Sequence, residues 1–236
     1  MKQIIAIQGN KFSGKTTTAK MLQFLLNTPK WLHNYTLYRL MKKSYYKFEN
    51  YQILAYADKI KQMLSILLNV PVIQFEDRDF KENCYVDFTT LTLHWRHNIG
   101  DDSKLLNDSE FSKEVQWLDQ KLIREKYLSI RQVMQYYGTE VMRRYFGQNI
   151  WILSTMKTGF NKIIISDQRF LNENEISKQS NAKIIHIIRP EAKSGNHSSE
   201  SELQKLLDNK MYNYLIDNNG NLKDLFNKCK EIVWQA

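Results

Sequence analysis

Gly9-Asn10-Lys11-Phe12-Ser13-Gly14-Lys15-Thr16 is the stretch on which the reading of this chain turns. It follows the apolar run Ile4-Ile5-Ala6-Ile7 and precedes Thr17-Thr18-Ala19-Lys20-Met21-Leu22, so strand, glycine-bearing loop and helix are expected in that order. The spacing is G-x-x-x-x-G-K-S/T without departure, the P-loop pattern. Backbone N–H groups of such a loop point at a phosphate, and the helix behind it aims its positive end at the same anion. Gly9, Lys11, Ser13, Gly14, Lys15, Thr16 and Thr17 are therefore expected to hold a nucleoside triphosphate. Lys15 is expected at its β- and γ-phosphates, and the Thr16 hydroxyl at Mg²⁺.

Four more apolar runs read as strands. Gln52–Asp58 and Lys162–Asp167 each end in an acid, and Ala182–Ile188 and Tyr214–Asp217 complete the set. The Ile163-Ile164-Ile165 run is continuous rather than alternating, as parallel strands buried on both faces are. Helical stripes lie between the strands, from Lys15 to Leu26, over Ile60, Met63, Leu64, Leu67 and Leu68, and over Leu222 to Val233. This alternation predicts an α/β three-layer sandwich: a parallel five-stranded sheet with helices on both faces. An Asp closing such a strand points into the crevice where open α/β sheets bind ligands. Asp167 fits a Walker B acid that holds Mg²⁺. Asp58 stands equally well as a helix cap, and Lys59 and Lys61 follow on the same turn.

The 236 residues fit one α/β domain with insertions about 27–50 and 83–128, and 42% of them are hydrophobic, enough for a sizeable core. Cys84 and Cys229 follow no metal-ligand spacing and make no disulfide framework, which suits a reducing compartment. No run approaches the ~20 apolar residues of a membrane span, and no signal peptide precedes the first strand, so a cytoplasmic protein without membrane association is expected. The net charge of +9 is spread along the chain, and a cleft for several phosphates needs positive charge too, so nucleic acid is a minor expectation. His94 and His97 lack partners at zinc spacing.

Ser129-Ile130-Arg131-Gln132 has capping-box spacing and opens a helix that Gly147 closes. Gly138 in its middle costs about 1 kcal/mol against Ala and marks a break or a close approach. Gln135, Thr139, Glu140, Arg143 and Arg144 surround it. Two adjacent arginines suit a phosphate clamp, since guanidinium binds phosphate bidentately, and they suit a charged surface helix as well. Arg189-Pro190 ends the fourth strand. The polar residues that follow, to Glu200, include Lys193 and a possible hinge at Gly195, and are expected to form a short lid about 189–200.

Four stretches together resemble the deoxynucleoside monophosphate kinases of bacteriophages and related viruses. They are Gly9–Thr16, Tyr56–Lys61, Arg131–Glu140 with Arg143 and Trp151, and Ile165–Phe170 with Asn172-Glu173. Arg189-Pro190, His197 with Ser199-Glu200, and Ile216–Gly220 are similar too, whereas 27–50 and 83–128 match nothing in that pattern. Helical insertions are expected on the substrate side, with strand-like β-branched content at Val86–Trp95. The resemblance implies a nucleoside-monophosphate-kinase-like fold and transfer of the ATP γ-phosphate to a dNMP with Mg²⁺. It further implies ATP contacts at Asn218 and Gly220, and substrate contacts at Asp58, Lys59, Lys61, Arg131, Gln135, Gly138, Thr139, Glu140 and Arg143. Lys15, Arg143, Asp167, Arg169 and Arg189 are the implied catalytic groups, Thr16 and Asp167 the metal ligands. A homodimer is one of the assemblies left open. A dephospho-CoA kinase-like enzyme and a P-loop nucleic-acid protein such as a 5′-end polynucleotide kinase remain as alternatives.

Overall fold

Isoleucine-rich runs build the central sheet. The computed structural model describes residues 2–43, 50–100, 104–117, 126–190 and 198–235. Its strands are β1 (Gln3–Gly9), β2 (Gln52–Leu54), β3 (Cys84–Asp87), β4 (Thr92–Trp95), β5 (Tyr127–Ser129), β6 (Lys162–Gln168), β7 (Lys183–Ile188) and β8 (Tyr214–Asp217). The larger sheet is parallel throughout, in the order β2-β6-β1-β7-β8. The helices are α1 (Lys15–Asn27), α2 (Tyr35–Lys43), α3 (Ala57–Leu68), α4 (Arg78–Asn83), α5 (Asp108–Trp117), α6 (Ile130–Gln135), α7 (Arg144–Phe146), α8 (Ile150–Met156), α9 (Leu171–Gln179), α10 (Ser198–Asp208) and α11 (Leu222–Gln235).

The described chain divides into two compact units, one of residues 1–56 with 152–236 and one of residues 57–151. In the first, Ile5, Ile7, Ile164, Ile185 and Ile187 pack under Leu22, Phe24 and Leu25 of α1 and Phe226 and Cys229 of α11. Phe24, Tyr38 and Phe226 meet with ring centroids 5.5 to 6.1 Å apart. Each such buried aromatic contributes about 1.5–3 kcal/mol. The opposite face of the sheet is covered by α9, so helices flank it on both sides.

The second unit has its own core and its own sheet. β3 pairs antiparallel with β4 and β5, and Leu64, Phe75, Phe80, Cys84, Val86, Leu128, Ile130 and Val133 are buried together. Phe75 and Phe80 meet edge to face at 5.7 Å. Neither Cys84 nor Cys229 is bridged, and each is buried in a different core.

Three differences from the sequence reading have physical causes. The second strand stops at Leu54 instead of running to Asp58, because the Tyr56 N–H donates to the Asp167 carboxylate at 2.8 Å and not to a neighbouring strand. Asp58 consequently lies in the first turn of α3, where a negative side chain is favoured by the helix dipole. The insertion about 83–128 is not purely helical: its strand-like stretch Val86–Trp95 falls in a hairpin of β3 and β4, each strand four residues long. β6 extends one residue past Asp167 and slips its register against β1: Ala6 faces Ile165, but Gln8 faces Gln168. The capping box at Ser129 forms as expected, with Gln132 N–H donating to Ser129 Oγ and Ser129 N–H donating to Gln132 Oε1.

Candidate active site

The phosphate loop connects β1 to α1 in the first unit. Gly9 has φ +148°, and a Cβ there would lie 2.3 Å from the carbonyl oxygen of Ile187 on β7. Phe12 takes the left-handed conformation, φ +66°, and Ser13 N–H closes the turn on the Asn10 carbonyl at 3.2 Å. Lys15 is buried, and its ammonium donates to the carbonyls of Gly9 and Asn10, each at 2.6 Å. The cation is thus gathered at the loop instead of dispersed into solvent. Thr16 is exposed and Thr17 half-buried on the first turn of α1. Lys11 lies 5.0 Å over the Phe12 ring.

The segment after β8 supports the loop from the side. Asn218 is buried and donates its amide to the Ser13 carbonyl at 2.8 Å. Lys228 donates to the Asp217 carbonyl. Gly220 precedes Asn221, whose Oδ1 caps α11 by accepting from Lys223 and Asp224 N–H at 2.8 and 3.1 Å.

Asp167 is half-buried near the end of β6, with Oδ1 accepting from Tyr56 N–H. Arg169 follows, half-buried, and its backbone N–H donates to Glu173 Oε2 at 2.7 Å, as the Phe170 N–H does at 3.0 Å. Arg189 is exposed just past β7. The expected lid falls on residues 191–197, outside the described residues, apart from Arg189, Pro190 and the start of α10 at Ser198.

In the second unit, α6 passes into a π-helical turn, Tyr136–Arg143, before α7. Such turns are rare and concentrate at functional positions. The Trp151 indole N–H donates to the Gly138 carbonyl at 2.8 Å, and a Cβ on Gly138 would lie 2.8 Å from Ile60 Cδ1. Gln135, Thr139 and Glu140 are half-buried here, and Arg143 is buried. Burial raises the Glu140 carboxyl pKa, and the neighbouring Arg144 opposes the rise.

Two of the expected substrate cations are engaged within the unit. Arg131 donates its Nε to Glu82 at 2.7 Å, and its guanidinium also meets the same oxygen at 2.7 Å. Lys61 meets Glu76 at 2.5 Å and Asp58 at 3.2 Å. Burial alone would lower the Lys61 pKa, but the two carboxylates outweigh it and hold it above its ordinary value. Lys59 is exposed and donates to Gln62 Oε1 at 3.2 Å.

Sequence reasoning missed a buried polar cluster directly behind the loop. Gln8, Gln168, Asn174, Ser177 and His186 are all buried and joined by hydrogen bonds. The available signal was Gln8, an amide closing an otherwise apolar strand. Burial, and then the nearby Lys15 charge, push the His186 pKa down to about 4.

A parallel sheet that feeds a glycine–lysine loop into a helix defines the P-loop class of α/β proteins. Within that class, a family model described as deoxynucleotide monophosphate kinase matches residues 3–229, and the chain belongs to that family. The deoxynucleotide monophosphate kinase of Enterobacteria phage T4 is 30% identical over 117 residues, 46% of this chain and 47% of that protein. The Escherichia phage RB69 protein of the same description is 26% identical over 113 residues, 44% and 45% of the two chains. The alignments thus span about half the length of these relatives. A dephospho-CoA kinase from Campylobacter jejuni aligns over 100% of this chain and 97% of its own at 13% identity, with a TM-score of 0.35, below the level at which a shared fold is argued.

Proposed function

We propose that this chain transfers the γ-phosphate of ATP to a deoxynucleoside 5′-monophosphate, giving the diphosphate. The observation that carries the reading is the Gly9–Thr16 cradle, with Lys15 gathered onto its carbonyls, in a chain that belongs to this family over residues 3–229. Phosphoryl transfer asks little covalent chemistry of a protein, only positioning and charge stabilisation. The acceptor phosphate oxygen is itself the nucleophile and needs no strong base.

In this reading the loop N–H groups hold the ATP phosphates, and Lys15 swings from the two carbonyls onto the transferring group. Asn218 keeps the loop shaped by holding the Ser13 carbonyl. Arg143, Arg169 and Arg189 stabilise charge on the acceptor and on the group in flight, and the turn at Gly138, Thr139 and Glu140 with Gln135 positions the dNMP. Arg131, Lys59, Lys61 and Asp58 act on the same substrate or shape its surroundings.

The donor set suits Mg²⁺ carried in on the nucleotide. Thr16 and Asp167 offer a hydroxyl and a carboxylate, hard oxygen ligands, and among the described residues no cluster of three or more His, Cys, Asp or Glu could hold a metal unaided. When bound, the ion neutralises charge on the β- and γ-phosphates. The phage sources of both relatives fit work in the cytoplasm of an infected cell, on small molecules.

A coupled assay with ATP against a panel of dNMPs, dephospho-CoA and 5′-hydroxyl DNA tests the reading. Turnover confined to one or more dNMPs is expected. Turnover with dephospho-CoA or DNA ends, and none with dNMPs, would overturn it.

A further inference from the structure

β6 carries one residue more than β1 needs. Ile163 and Ile165 face Ile4 and Ala6, and strand alternation would next set Asp167 beside Gln8. Ile7 instead stands opposite two residues, Ser166 and Asp167, and it is Gln168 that reaches Gln8. Slips of this kind re-aim a side chain, and they recur beside active sites.

Side-chain hydrogen bonds hold the slip. Gln168 Nε2 donates to Gln8 Oε1 at 2.9 Å, and Gln168 Oε1 accepts from Ser177 Oγ at 2.7 Å. Gln8 is the hub. Its Oε1 also accepts from Asn174 Nδ2 at 2.9 Å, and its Nε2 reaches His186 Nδ1 at 3.1 Å and the Met211 carbonyl at 3.2 Å. With Gln8 as donor, His186 Nδ1 is an acceptor, so the ring is neutral. In the regular register, the Asp167 carboxylate would enter this buried set of amides, where an ionised group is costly. With the slip, an amide enters instead and Asp167 is left to accept from Tyr56 N–H.

We infer that Gln168, locked between Gln8 and Ser177, is a positioning residue that aims Asp167 and thereby sets the affinity for the metal–nucleotide complex. The inference rests on the reading of Asp167 as a metal-holding carboxylate. It reaches further, because it makes the strength of metal binding depend on an amide that touches neither metal nor nucleotide. A residue that only stabilised the sheet would lower the melting temperature and weaken every nucleotide form alike.

Calorimetric titration of the full chain with a non-hydrolysable ATP analogue, with and without Mg²⁺, separates the two. In Gln168→Leu the affinity gained on adding Mg²⁺ should fall about tenfold while Mg²⁺-free affinity stays within about twofold. Equal losses in both arms, or none in either, overturn the inference. Should Gln168→Leu fail to fold, Ser177→Ala removes one of the two locks, and a loss of about two- to threefold in the Mg²⁺ arm alone is expected, with an unchanged Mg²⁺ arm overturning it. Asp167→Asn separates the layers: if it keeps the full Mg²⁺ gain, the metal reading itself falls. If Asp167→Asn loses the gain and Gln168→Leu retains it, only the positioning inference falls.

Discussion

The phosphate loop and the π-helical turn each carry a glycine close against a neighbour, but the two glycines are held against different things. A Cβ on Gly9 would lie 2.3 Å from a backbone carbonyl of β7, in a conformation side chains rarely adopt. A Cβ on Gly138 would lie 2.8 Å from the tip of the Ile60 side chain, with no unusual φ. A strand carbonyl cannot yield without the sheet, whereas an isoleucine can turn about χ angles. The loop is therefore set by the sheet, and the turn by two side chains, the Ile60 tip and the Trp151 indole N–H on the Gly138 carbonyl. The first should tolerate nothing and the second a good deal.

Substitutions can break that contrast. The largest effect is expected at Lys15, where Lys15→Met should lower kcat about a thousandfold, the scale of losing a main charge stabiliser of phosphoryl transfer. Steady-state rates near normal in the folded variant would remove the loop from the chemistry. Next, Gly9→Ala should cost about 3 kcal/mol or more in urea unfolding, from strain and overlap together. A cost under about 1 kcal/mol would show that the loop has slack after all.

A third measurement probes the cluster behind the loop. His186 has its pKa lowered to about 4 against an ordinary 6.5, so between those pH values the unfolded chain binds a proton that the native state refuses. Stability should then rise with pH from about 4 to 6.5 and level off above, by at most about 3–4 kcal/mol from this group. His186→Gln should flatten that part of a melting-temperature profile, and an unchanged slope would place the titration elsewhere.

The turn should respond more gently. Arg143→Ala is expected to raise the KM for dNMP about tenfold while that for ATP moves less than about twofold, corresponding to about 1.4 kcal/mol of substrate binding. Equal shifts for both nucleotides would take Arg143 out of acceptor binding. Smallest of all, Gly138→Ala should change stability by less than about 1 kcal/mol, because helix propensity gained offsets the displaced Ile60 tip. A loss as large as that of Gly9→Ala would erase the contrast.

The same division governs what the sequence makes legible. Parallel strands buried on both faces advertise themselves as unbroken apolar runs, and Ile163-Ile164-Ile165 needs no partner to be recognised. The loop is legible because its chemistry demands fixed residue types at fixed spacing. β3 and β4 are four residues each, so the β-branched content of Val86–Trp95 signals strand without showing where one strand ends and the next begins. Asp58 misleads because an acid after an apolar run suits a strand end and a first helical turn equally. The slip in β6 is invisible for a deeper reason: it depends on which residue of another strand lies opposite, and one strand read alone carries no register. Gly138 signalled a break, but whether the helix would kink, stop or widen into a π turn rested on Ile60 and Trp151, distant in sequence.

Two buried thiols turn the two cores into separate clocks. Cys229 lies in the first core with its pKa raised to about 12 by burial, and Cys84 in the second with its pKa raised by the same cause. A thiol attacks a disulfide reagent only as thiolate, and both are buried with their pKa raised, so the native protein presents neither to such a reagent. Each reacts only when its own surroundings open. Pulsed labelling read by peptide mass would therefore time the opening of the sheet with its phosphate loop, and of the unit bearing the π turn, independently within one molecule.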